Sequence, residues 1–85
     1  MTTTVLYRVP RGYLSEINRT RELLGDATEN EVILKWVTDK FGVWILDNIT
    51  PDFAFANANP TGFDIVFDHV EHARQFVREV GGVIR

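Results

Sequence analysis

The sequence predicts an α+β fold, a small two-layer sandwich with helices on one face of a three- or four-stranded antiparallel or mixed sheet. Three observations carry this. Apolar residues alternate with period two near the start of the chain and again around residue 65. Elsewhere the period lengthens to that of a helix, and Gly or Pro marks each change. The resulting order is β-α-α-β-β-α-β, which a ferredoxin-like variant with an extra helix in its first crossover satisfies.

Residues 3–9 read as the first strand, with Val5, Tyr7 and Val9 alternating with Leu6 and Arg8. Pro10-Arg11-Gly12 ends it, because Pro10 cannot donate to a ladder. From Tyr13 to Leu24, Leu14, Ile17 and Leu24 fall on one helical face, and Gly25 supplies a left-handed stop. Thr28-Glu29-Asn30-Glu31 fits a capping box, so a second helix starts here and places Ile33, Trp36, Val37 and Phe41 on one face. Gly42 stands where that helix is expected to end. A rival reading makes 31–37 a strand, since Val32, Leu34 and Trp36 also alternate; agreement of start, face and stop favours the helix.

The apolar run 42–49 is expected to be a buried strand, followed by a long connection over 50–62. Phe53 and Phe55 alternate with Ala54 and Ala56 there, enough for a short extended piece. Phe63, Ile65 and Phe67 define the clearest strand, and Asp68 is placed to cap a final helix. That helix carries Val70, Ala73, Phe76, Val77 and Val80 as an apolar stripe. Gly81-Gly82 stops it, and Val83-Ile84 returns as a short last strand. No repeat or linker divides the chain, so residues 1–85 are expected to form a single domain. Trp36 and Trp44 are expected in its core.

Composition narrows the functional classes. With 45% hydrophobic and 25% charged residues the chain has the makeup of a folded domain rather than a disordered one. It contains no cysteine, which rules out disulfides and thiolate metal sites. No stretch approaches the ~18–20 apolar residues of a membrane span, and the first residues lack the pattern of a secretory signal. The cytoplasm is therefore the expected location. Net charge is −3 but unevenly placed. Arg8, Arg11, Arg19 and Arg21 make the first quarter positive, the middle is strongly acidic, and Arg74, Arg78 and Arg85 make the end positive again.

The residues that could do chemistry are few. His69 and His72, three apart beside Asp68 and Glu71, have helical metal-ligand spacing, but helix capping explains the same acids. Ser15 stands in no nucleophile motif. Carboxylate pairs such as Asp47 with Asp52, or Asp64 with Asp68, fit turns and solubility as well as acid–base work. Asn59-Pro60-Thr61-Gly62 is a turn that leads into no helix, unlike a phosphate-cradling loop. No cofactor or metal is implied, and no enzyme activity. Strand aromatics suggest base stacking, but Asp47, Asp64 and Asp68 disfavour nucleic acid as a partner, and no basic-glycine-aromatic run is present.

What remains is a protein-binding role. In size, acidity and compactness the chain is similar to the small inhibitor proteins that bacteriophages make against host defence or host enzymes, a likeness that attaches to no particular residue. The expected role is that of an inhibitor or accessory factor of a nucleic-acid-handling complex, as for a phage or mobile-element protein. The expected contact residues are the helical acids Glu22, Asp26, Glu29, Glu31 and Asp39, facing a protein with a basic surface. Phe53, Phe55, Asn57 and Asn59 of the 50–61 loop join them. An exposed sheet edge offers backbone pairing, and a homodimer is compatible with the pattern. The alternative is a homo-oligomeric small-ligand sensor or small enzyme of ferredoxin-like fold.

Overall fold

Alternation in the strands decides which face of the sheet is covered. In the computed structural model, which describes residues 2–85, β1 (Thr3–Arg8), β2 (Phe53–Asn59), β3 (Gly62–Phe67) and the two-residue β4 (Val83–Ile84) form one antiparallel sheet of order β2-β3-β1-β4. β1 pairs with β3 from Thr3↔Phe67 to Arg8↔Gly62, and with β4 through Val5↔Ile84 and Leu6↔Val83. The link from β1 to β2 therefore passes over β3, and the link from β3 to β4 passes over β1. Val5, Phe63, Ile65 and Phe67 point to the helices and are buried. Their alternates Leu6, Asp64 and Val66 lie on the opposite, open face and are only partly covered.

A 3₁₀ turn (Arg11–Tyr13) leads into α1 (Leu14–Leu24), which buries only Ile17. Leu14, expected on the same face, is 56% exposed. α1 ends at Gly25, whose φ of 66° is open to glycine at little cost. α2 (Glu29–Val37) starts at the predicted cap. The Glu31 N–H donates to the Thr28 hydroxyl oxygen at 3.3 Å, and that hydroxyl donates to the Glu31 carboxylate at 3.0 Å. Such a cap contributes about 1 kcal/mol.

The expected strand over 42–49 is not formed. The helix runs on through a π-helical turn (Thr38–Gly42) into α3 (Val43–Asn48), with right-handed helical backbone at Val37, Thr38, Gly42 and Val43. Gly42 does not stop the helix, because its lack of a side chain serves packing instead. A Cβ there would sit 3.3 Å from the Phe55 ring. The run Val43-Trp44-Ile45-Leu46 is apolar throughout, and such a run fits a buried strand and a buried helix equally well. The strand that was expected here is supplied by β2, inside the segment expected to be a connection. The short extended piece at Phe53–Ala56 is thus the start of a seven-residue strand.

α4 (Val70–Glu79) buries Ala73 and Phe76. Asp68 does not cap it: the N-cap position is His69, with no side-chain cap bond. The core is one cluster built around Phe41 of the π turn, whose ring lies 5.2 Å from Tyr7, 5.4 Å from Phe63 and 5.7 Å from Trp36. Trp36 is in this core at 3% exposure, and Trp44 is half-buried, edge-on to Phe76.

Candidate functional site

The open face of the sheet holds a concavity of about 850 Å³. It lies between the ends of β1 and β3, the β2–β3 turn and the 3₁₀ turn. Arg8, Arg11 and Arg85 stand around it, with Leu6, Asn57 and Asp64 among its lining residues. Strand order creates this grouping. Arg8 ends β1 on the open face, and the Arg85 N–H donates to the Thr4 carbonyl at 2.9 Å, which ties the residue after β4 beside β1. Among the described residues, no acid lies within ion-pair distance of Arg8, Arg11 or Arg85. The one carboxylate side chain lining the concavity among the described residues, Asp64, accepts a 2.8 Å hydrogen bond from the Asn57 amide.

Asn57 and Asn59, expected as loop contact residues, are turn builders. Asn57 adopts a left-handed φ of 53° in the irregular stretch between Ala56 and Asn59, a conformation Asn tolerates better than most residues. The Asn59 side-chain oxygen Oδ1 accepts from the Thr61 N–H at 2.9 Å and the Gly62 N–H at 3.3 Å, and from the Thr61 hydroxyl. Phe53 and Phe55 face inward, with ring centroids 6.3 Å from Phe67 and 5.7 Å from Phe63 respectively.

The five helical acids are not gathered into a free surface. Glu29 accepts from the Arg21 Nε–H at 2.9 Å and from one of its terminal nitrogens at 2.7 Å. Glu31 serves the Thr28 cap, and Asp39 pairs with Lys35 at 3.1 Å. Glu22 and Asp26 are exposed and form no ion pair among the described residues. The Arg21 hydrogen bonds hold the Glu29 carboxyl below its ordinary value, with charge attraction adding to them and desolvation opposing. In an NMR pH titration Glu29 is expected to titrate below a model-peptide glutamate, and in Arg21→Gln to return to that value. Because its folded-state pKa is lowered, the stabilisation is present above the unfolded pKa and fades as pH falls through the folded one. Its size is small, since both side chains are solvent-exposed.

The strand aromatics Tyr7, Phe63 and Phe67 lie on the helix side, in contact with Phe41 or Phe76, so among the described residues these rings offer no stacking platform on the open face. Burial raises the Tyr7 phenol above its ordinary value, and Tyr13 adds to the shift. The His69 and His72 rings stand perpendicular, 5.3 Å apart. Among the described residues, no three His, Asp or Glu side chains are grouped to hold a metal ion, and no helix is long and apolar enough to cross a membrane.

The arginine grouping was not singled out from the sequence. Its signal was present as the positive first and last blocks of the chain. Their meeting depends on β4 returning beside β1, which charge counting alone does not supply. Comparison with protein-family models, with curated proteins and with solved structures finds no match.

Proposed function

We propose that this chain is a non-enzymatic protein-binding module whose contact surface is the open face of its sheet. The observation that carries the proposal is the set of three arginines, Arg8, Arg11 and Arg85, standing around a concavity without acidic partners among the described residues. A desolvated arginine fork recognises carboxylates bidentately, so the partner surface is acidic where it meets this rim. The acids of α1 and α2, by contrast, are mostly spent on pairs and a cap within the fold. Absence of aromatics from the open face favours protein over single-stranded nucleic acid, where stacking supplies much of the affinity. The two interleaved crossovers support a ferredoxin-like reading of the fold. An inhibitor or accessory subunit of a larger complex works in this way, by covering a partner's surface.

The test compares three immobilised proteins in capturing a partner from native lysate: the wild-type chain, Arg8→Glu/Arg11→Glu/Arg85→Glu and Glu22→Lys/Asp26→Lys. Circular dichroism checks that each is folded. The wild-type chain is expected to retain a stoichiometric partner that moderate salt releases. The arginine variant should bind it at least ~10-fold more weakly, a loss of roughly 1.4 kcal/mol, and the acid variant as the wild type does. Loss confined to the acid variant would move the contact to the helical edge. Tight, salt-sensitive binding of a single-stranded oligonucleotide would replace the protein reading altogether.

A further inference from the structure

β2 borders the sheet, and none of its residues, Phe53–Asn59, carries a charge. Sheet edges are usually protected by charges, prolines, bulges or brevity. The other border, β4, is protected by being two residues long. On β2 the protections stand at the ends, with Pro51 and Asp52 before it, the irregular stretch after Ala56 and Pro60 beyond. The stretch from Phe53 to Ala56 is a regular edge with nothing to repel another strand.

The ladder fixes which backbone groups this edge offers. The Asp68 N–H donates to the Asp52 carbonyl at 3.3 Å, so hydrogen-bonded pairs with β3 recur at Ala54 and Ala56. Phe53 and Phe55 therefore turn their backbone groups outward. The Phe53 N–H is taken by the Pro51 carbonyl at 3.2 Å. The Phe53 carbonyl and both groups of Phe55 remain for a partner strand.

The layer above the edge is apolar as well. Thr38 and the Phe55 ring both lie against Gly42. Leu34 and Leu46, four residues before Thr38 and four after Gly42, continue the same helical stripe, and they are 44% and 53% exposed.

We propose that two copies of this chain pair through their β2 edges, antiparallel, about a two-fold axis at Phe55, to make one continuous eight-stranded sheet. The edge is self-complementary in this register. Phe55 opposite Phe55 of the second copy exchanges both of its free groups reciprocally, whereas Phe55 opposite Phe53 leaves the Phe55 carbonyl unused, because the Phe53 N–H is held by the Pro51 carbonyl. Ala54 falls opposite Ala56 of the second copy on the open face, and Asp52 falls opposite Ala58, so no like charges meet. The two-fold axis keeps both helical layers on one side and brings the Leu34 and Leu46 stripes toward each other.

The absence of cysteine makes the register directly testable. In the proposed pairing Ala54 and Ala56 of the second copy form a non-hydrogen-bonded pair, about 4.5 Å apart at Cα, within disulfide reach. Ala54→Cys and Ala56→Cys, mixed and mildly oxidised, are expected to give a covalent heterodimer far above the background set by Ser15→Cys, while either variant alone stays at that background. Sedimentation of the wild-type chain should show a dimer, and Ala54→Glu/Ala56→Glu, which sets like charges opposite each other, a folded monomer. A monomeric wild-type chain at high micromolar concentration would overturn the proposal. So would cross-linking of Ala54→Cys to itself, or a dimer that the double glutamate variant leaves intact.

Discussion

Phe41→Ala is expected to lower the stability of this protein by about 3–5 kcal/mol, the range for removing a buried phenylalanine ring. Small domains have only about 5–15 kcal/mol in all, so the variant should unfold at a much lower denaturant concentration or fail to fold. The reason is the number of partners one ring holds together. Phe41 is 5% exposed and contacts Tyr7 from β1, Tyr13 from the 3₁₀ turn, Trp36 from α2, Phe63 from β3 and Phe76 from α4. Removing it leaves a cavity that no single neighbour can fill, because each is fixed in a different element. Urea titration followed by tryptophan fluorescence reads the effect, since Trp36 lies edge-on to Phe41 at 5.7 Å. Phe41→Leu, which keeps most of the volume, should lose far less. A loss below about 1 kcal/mol in Phe41→Ala would show that the ring is not the centre of the core.

The π turn that carries Phe41 also explains where the sequence was readable and where it was not. From Ile33 to Ile45 is twelve residues, and an unbroken α-helix would turn Ile45 about 120° away from the face of Ile33. The extra residue taken up by the π turn brings the two back to within about 20°, and both are buried. A pattern search at α-helical period therefore loses the face after Phe41. The apolar residues that follow then look like a new strand. α2 itself was legible because its cap is local chemistry, Thr28 with Glu31. β1, β3 and α4 were legible because their apolar residues keep strict period. β2 was hidden because its open-face residues are alanines, whose small side chains suit a strand edge without marking it as one. For the candidate site, the arginines were visible as charge but not as neighbours. The acids were visible as a group, but their partners Arg21 and Lys35 become apparent only when the helices are built.

Gly62→Ala is expected to be the most damaging small change in the sheet. Gly62 stands opposite Arg8 where β3 begins to pair with β1. A Cβ there would run into the Tyr7 carbonyl oxygen, with the Tyr7 carbonyl carbon and the Arg8 Cα each at 3.3 Å. The obstacle is backbone, so no rotamer change can relieve it. The same end of the hairpin is held by the Val9 N–H on the Thr61 carbonyl at 3.0 Å and by the Asn59 side chain on the Gly62 N–H, which leaves β3 little room to move away. The methyl must either strain the ladder or part β1 from β3, at a cost of about 1–3 kcal/mol or somewhat more. Gly82→Ala makes the informative comparison. Its Cβ would approach the Leu6 carbonyl oxygen at 2.8 Å, from a left-handed φ of 98°. There the clash can be escaped by releasing β4, two residues on an edge, so its cost is limited to what β4 contributes. Hydrogen exchange separates the two. In Gly62→Ala the amides of β1 and β3 should lose protection together with the denaturant midpoint. In Gly82→Ala the loss should be confined to β4 and the Arg85 amide that bonds to Thr4. If Gly62→Ala keeps wild-type protection across β1 and β3, the close approach at Tyr7 does not hold the two strands in register.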